Sequence, residues 1–115
     1  MAASSSDIAN AEAQALAVME EFERAGNAAD DPALFRTFNY PHVRMASEKV
    51  AIWQNEAEAQ ASYQQAFADR AGPNWHHSVF EYKHVLQSSP DKVHLAVQFT
   101  RYDRDDQPIA TYRSL

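Results

Sequence analysis

From about residue 7 to residue 25 the apolar positions recur with the period of a helix, Ile8, Ala15, Met19 and Phe22 falling on one stripe with Leu16 beside them. Good helix formers fill the stretch almost without interruption. Glu12, Glu20, Glu23 and Arg24 are expected to face water, and Gly26 to end the helix in a left-handed conformation. Asp31 and Pro32 read as a second start, the carboxylate capping free N–H groups and the proline taking the first helical position. Leu34, Phe35 and Phe38 give this short helix its buried face before Pro41 stops it.

The period then shortens to that of strands. Val43 and Met45, then Val50, Ile52 and Trp53, flank a polar turn at Ser47-Glu48-Lys49. Asn55, with Glu58 three residues on, predicts the start of a third helix that runs to about Arg70 and buries Ala59, Tyr63, Ala66 and Phe67. Ala71-Gly72-Pro73 ends it. Residues 76–87 and 92–102 read as two long strands joined by a four-residue loop, Ser88-Ser89-Pro90-Asp91. That loop sets Leu86 opposite Val93, His84 opposite Leu95, Tyr82 opposite Val97, Phe80 opposite Phe99 and Ser78 opposite Arg101, all on one inner face. The other face, with His77, Glu81, Lys83, His94, Gln98 and Thr100, is more polar, as expected of a sheet covering a core on one side. A turn at residues 103–107 leads to a third strand from Pro108, bringing Tyr112 near Phe99. Helices followed by a run of strands predict an α+β fold with the helices packed on one sheet face.

Composition narrows the function. With 115 residues and 45% apolar content, the chain supports one domain around one core. Residues 1–6 are small and polar; they read as a frayed terminus and not as a signal peptide or membrane anchor. A net charge of −6 without a basic run disfavours nucleic acid as a partner. No cysteine means no disulfide, thiolate metal site or Cys nucleophile, and suits a cytoplasmic protein. Two glycines leave no room for a phosphate-cradling loop, so no nucleotide cofactor is expected.

Several segments resemble those of a known superfamily: Asn39-Tyr40-Pro41-His42-Val43-Arg44 leading into the first strand, Trp53 before the third helix, Trp75-His76-His77-Ser78, and the run from Lys92 to Tyr102. In wording and element order the chain resembles the nuclear-transport-factor-2-like superfamily, in its SnoaL-like branch of uncharacterised bacterial proteins. The resemblance implies a cone of three N-terminal helices on a strongly curved sheet, an apolar cavity, and a homodimer formed through the outer sheet face. Enzymes of the superfamily include ketosteroid isomerases, scytalone dehydratase, limonene epoxide hydrolase and polyketide cyclases. In them a carboxylate or His moves a proton while Tyr, Asp or Arg polarises an oxygen, both helped by apolar burial. The family continues beyond a segment like Thr111-Tyr112-Arg113-Ser114-Leu115 with a final strand; this chain stops at Leu115, and an open sheet edge is expected to invite pairing.

The resemblance implies a small apolar or carbonyl-containing ligand and cofactor-free isomerisation, dehydration or cyclisation; a non-catalytic binding or assembly module is the alternative. The candidate base is Asp103, with Arg101 or Tyr112 as oxyanion donor and Ser78 nearby, unless Asp103 serves only its Asp-rich turn. Tyr82 and His84, two apart on the inner face, form a second acid–base set, against the reading of a buried, hydrogen-bonded histidine. Tyr40, Trp53, Trp75, Phe80 and Phe99 either line the pocket or fill the core. His76 and His77, as neighbours on a strand, point to opposite faces, so no metal site is expected.

Overall fold

The computed structural model describes residues 4–46 and 48–115. Its elements are α1 (Ser5–Asn27), α2 (Asp31–Arg36), β1 (His42–Ala46), β2 (Lys49–Trp53), α3 (Glu56–Ala71), β3 (His77–Ser89), β4 (Lys92–Tyr102) and β5 (Pro108–Ser114). β1 and β2 form a two-stranded antiparallel sheet, and β3-β4-β5 an antiparallel meander. The expected α+β class is what is found, with α1 on β3, α2 between α1 and α3, and α3 against β2. No helix among the described residues is long and apolar enough to cross a membrane.

Helix ends follow local capping chemistry, with three shifts from expectation. Met1 to Ala3 of the expected frayed segment lie outside the described residues, as does Ser47 of the expected turn; Ser4, however, caps α1, its Oγ accepting from the Asp7 N–H at 3.1 Å. Gly26 does not end α1 but lies inside it, and the left-handed residue is Ala29, with φ 54. There Asp30 donates its N–H to the Ala25 carbonyl at 2.9 Å and Ala29 donates to Gly26 at 3.3 Å, the paired bonds of a Schellman cap. Alanine pays a Cβ penalty at that φ which glycine avoids. Ala29→Gly is therefore expected to stabilise the fold by about 0.5–1 kcal/mol; a denaturant midpoint that stays put or falls would refute it. Asp30, not Asp31, caps α2 through the Ala33 N–H, which moves Pro32 to the second helical position. At α3 the Asn55 side chain accepts from the Glu58 N–H at 3.0 Å, as expected, while Glu58 reaches back one residue further, to the Gln54 N–H.

The core sits where the helices meet β2. Ala25, Ala33 and Ala59 let backbones approach, and Leu34, Phe35, Trp53 and Tyr63 fill the space between them. Ring edges meet ring faces there: Phe35 and Tyr63 lie 5.8 Å apart at 87°, and Trp53 and Tyr63 5.6 Å apart at 64°.

The long hairpin departs from its expected register. Ser78 faces Arg101 and Phe80 faces Phe99 as predicted, but a bulge follows Phe80 and a second follows Val85. Beyond them Tyr82 pairs with Gln98, His84 with Ala96 and Ser89 with Lys92, so the turn shrinks to Pro90-Asp91. An extra residue shifts the two-residue alternation, so the side chains between the two bulges change face. Lys83 now points at α1, its Nζ 2.9 Å from Glu23 Oε1, and Tyr82 and His84 fall on the outer face. Glu12 and Glu23, expected in water, are half-buried against β3: Glu12 accepts from Ser88 Oγ at 2.6 Å, and Glu23 also accepts the Phe80 N–H at 3.0 Å.

α1 also shields the free edge of β3. Asn27, one turn after Glu23, exchanges two hydrogen bonds of 2.8 Å with the Ser78 backbone, as a neighbouring strand would. Among the described residues nothing covers the β5 edge in this way, and Ile109, Tyr112 and Leu115 are exposed there. The outer face of the small hairpin is apolar and exposed too, through the cross-strand pairs Val43–Ile52 and Met45–Val50.

Candidate functional site

On α3, Tyr63, Phe67 and Arg70 are spaced four and three residues apart and share one face. On β4, Phe99 and Arg101 alternate onto the side facing α3, and pairing with β5 sets Tyr112 opposite Phe99. These residues meet. The Arg101 guanidinium lies 4.6 Å from the Tyr112 ring centre, 5.5 Å from Phe67 and 5.6 Å from Phe99. Arg70 lies 5.8 Å from Tyr63 and 5.6 Å from Phe67. Trp75 closes one side, its ring edge-on to Phe67 at 4.9 Å and its Nε1 donating to Ser78 Oγ.

The electrostatics of this cluster are one-sided. Arg101 is only 6% exposed, yet its one hydrogen bond is a long one, Nη1 to the Arg70 carbonyl at 3.4 Å. The Nε atoms of Arg70 and Arg101 are both buried without a partner. Among the described residues the ion pairs use Arg24, His77 and Lys83, and none uses Arg44, Arg70 or Arg101. Burial holds the Arg70 guanidinium below its ordinary pKa, and the charges of Arg44 and Arg101 add to the effect. Burial raises the Tyr63 hydroxyl, opposed by Arg70, Arg44 and Arg101. An unpaired buried guanidinium costs several kcal/mol. In a chain with 16 acidic and 10 basic residues, carboxylates were in ample supply to pair these three arginines, and the fold pairs none.

Such an arrangement offers planar N–H donors and aromatic faces together. It suits carboxylate, enolate, sulfonate or phosphate oxygens carried on a flat or apolar body. None of these side chains is a carboxylate or an imidazole.

The residues singled out from the sequence divide accordingly. Arg101, Tyr112, Phe99 and Phe80 converge as expected, with Phe80 and Phe99 ring centres 5.2 Å apart and Phe99 stacked on Tyr112 at 5.4 Å. Asp103 does not join them: its Oδ1 accepts the Asp105 and Gln107 N–H groups, both at 2.9 Å, so the carboxylate is used up by its turn. Tyr82 and His84 stack on each other at 4.4 Å on the opposite sheet face, because of the first bulge. Trp53 is core, with Nε1 bonded to Ser62 Oγ, and Tyr40 donates its hydroxyl to the Phe35 carbonyl. Two hollows in the described surface, about 290 Å3 between α1 and α2 and about 180 Å3 at the β3–β4 turn, both lie away from the cluster.

The expectation that His76 and His77 diverge is also overturned. His76 precedes the first residue of β3 and is not bound by strand alternation, and the two Nδ1 atoms lie 3.0 Å apart.

Reading the sequence for chemistry missed Arg70 and Arg44. Arg70 was nonetheless marked: a charged residue in step with the Tyr63–Phe67 stripe sits where the helix should be apolar. Arg44 lies on the half-buried side of β1 beside His42, which stacks on Phe38 at 4.2 Å. Burial first, then the Arg44 charge, holds that histidine below its ordinary pKa. No protein-family model matches the chain, and no curated protein or solved structure is significantly similar to it.

Proposed function

We propose that this chain is a small-molecule binding protein of the cone-shaped, nuclear-transport-factor-2-like kind, and that its ligand is an organic anion seated on Arg101 and Arg70. The observation that carries the reading is the buried, unpartnered Nε of Arg101, surrounded by rings and by two further cations. A buried donor without an acceptor is normally satisfied by something, and none of the described residues accepts from this one. The reading favours binding over proton transfer, since Asp103 is spent on its turn and His84 lies on the outer face.

Thermal denaturation with a panel of ligands tests it. Aromatic carboxylates at millimolar concentration are expected to raise the melting temperature, and their amides and methyl esters to leave it unchanged. Arg70→Met is expected to weaken the effect at least tenfold in concentration. If the neutral analogues stabilise as well as the acids, the anion is not what is recognised and the reading fails.

A further inference from the structure

At the opposite end of the sheet from the β3–β4 turn lies a group of side chains that the anion site does not use. His76 Nδ1 and His77 Nδ1 are 3.0 Å apart, and His77 Nε2 lies 3.3 Å from Asp106 Oδ1. The His77 ring is held in place by stacking on Tyr102 at 5.3 Å and 10°. His76 is fixed from its backbone, its N–H donating to the Tyr102 carbonyl at 2.8 Å.

We infer that His76 and His77 form a bidentate site for a divalent transition-metal ion of the zinc, nickel or copper type, with Asp106 orienting His77 from behind. The bite decides the matter. Two imidazole nitrogens each about 2.0–2.1 Å from one metal stand about 2.9–3.4 Å apart, depending on whether the ligand angle is square or tetrahedral. The observed separation falls in that interval. The proton arrangement agrees with it. A carboxylate oxygen 3.3 Å from Nε2 favours the proton on that atom, which leaves the neutral His77 ring with its lone pair on Nδ1, the atom that faces His76. A carboxylate behind a ligating histidine raises its basicity and fixes its tautomer. Imidazole ligands select zinc, nickel and copper over magnesium and calcium, which prefer oxygen.

The surroundings favour a cation as well. Asp103, Asp105 and Asp106 share the turn that carries the orienting carboxylate, and the Asp106 side chain is 83% exposed, so solvent reaches the site. Among the described residues no group of three or more His, Asp or Glu surrounds a common point. The ion is therefore held at two points by the protein and elsewhere by water, which sets its binding in the micromolar range or weaker. The site is independent of the anion reading.

Calorimetric titration of zinc and nickel into the full-length chain, in a non-coordinating buffer, tests the assignment. A saturable isotherm with one metal per chain is expected. His76→Ala and His77→Phe should each lower the affinity at least tenfold; the phenylalanine keeps a ring on Tyr102, so the fold is preserved. Asp106→Asn should weaken binding several-fold, an effect that a chance pair of surface imidazoles would not have. In proton NMR, zinc should shift the ring signals of His76 and His77 ahead of those of His42, His84 and His94. Absence of binding by the wild-type chain, or undiminished binding by His77→Phe, overturns the site, and full-strength binding by Asp106→Asn removes the carboxylate's part in it.

Discussion

Arg101→Met is expected to raise the melting temperature while erasing anion binding. In most proteins removing a buried, ring-packed side chain of this size is harmful; here the terms run the other way. The guanidinium is withdrawn from water with no carboxylate beside it, which costs several kcal/mol. Against that stand one hydrogen bond at the limit of its range and three ring contacts worth about 0.5–2 kcal/mol each. Methionine keeps much of the latter, because its thioether packs on aromatic rings with a gain of about 0.3–1.5 kcal/mol each. Loss of the Arg101 charge also relieves Arg70, whose ionisation it opposes. The balance is a stabilisation of about 1–4 kcal/mol, by analogy with buried charges replaced by apolar residues of similar volume. Calorimetry of the variant with and without an aromatic carboxylate reads both quantities. A lower melting temperature than wild type would mean that the ring contacts outweigh desolvation, and that the arginine is there to hold the fold.

The second large effect lies in the core. Phe35→Ala is expected to destabilise the protein by about 3–5 kcal/mol, a large part of the roughly 5–15 kcal/mol typical of a domain. Phe35 is the largest side chain that is fully buried, and its ring meets Phe38 at 6.1 Å and Tyr63 at 5.8 Å, both edge-on. It sits in a helix of six residues, too short to hold its shape alone, so α2 depends on that contact for its position. The Tyr40 hydroxyl that bonds the Phe35 carbonyl should lose its partner's fixed place at the same time. Urea denaturation checks the figure; a loss below 1 kcal/mol would mean that the helices close over the gap.

The elements were legible in the sequence where a local pattern defines them. The three helices and five strands of the described residues follow from periodicity, Asn55 with Glu58, and the break at Gly72. What local pattern does not carry is where a strand gains a residue. Nothing in Phe80-Glu81-Tyr82 distinguishes a bulge from plain alternation, because polar and apolar side chains alternate there either way. Plain alternation places Tyr82 and His84 on the inner face, and with them a catalytic set that the fold does not assemble there. Cap positions moved by one residue at α2 because adjacent aspartates are equivalent until the backbone chooses between them. The arginine cluster was only half legible, since Arg101 announces itself on an apolar strand face while Arg70 and Arg44 become partners only in three dimensions.

The first bulge makes the hairpin a reading frame. Deleting Glu81 would remove the surplus residue and leave Phe80-Tyr82-Lys83 alternating plainly against Phe99-Gln98-Val97, with Lys83 still inside on Glu23 and Tyr82 and His84 still outside. A one-residue deletion there would thus smooth the strand and keep both of its surfaces, whereas the same deletion at a paired position between the bulges would put the strand out of step. Among homologous chains, a gap at this position is a silent edit that leaves the histidine on the outside.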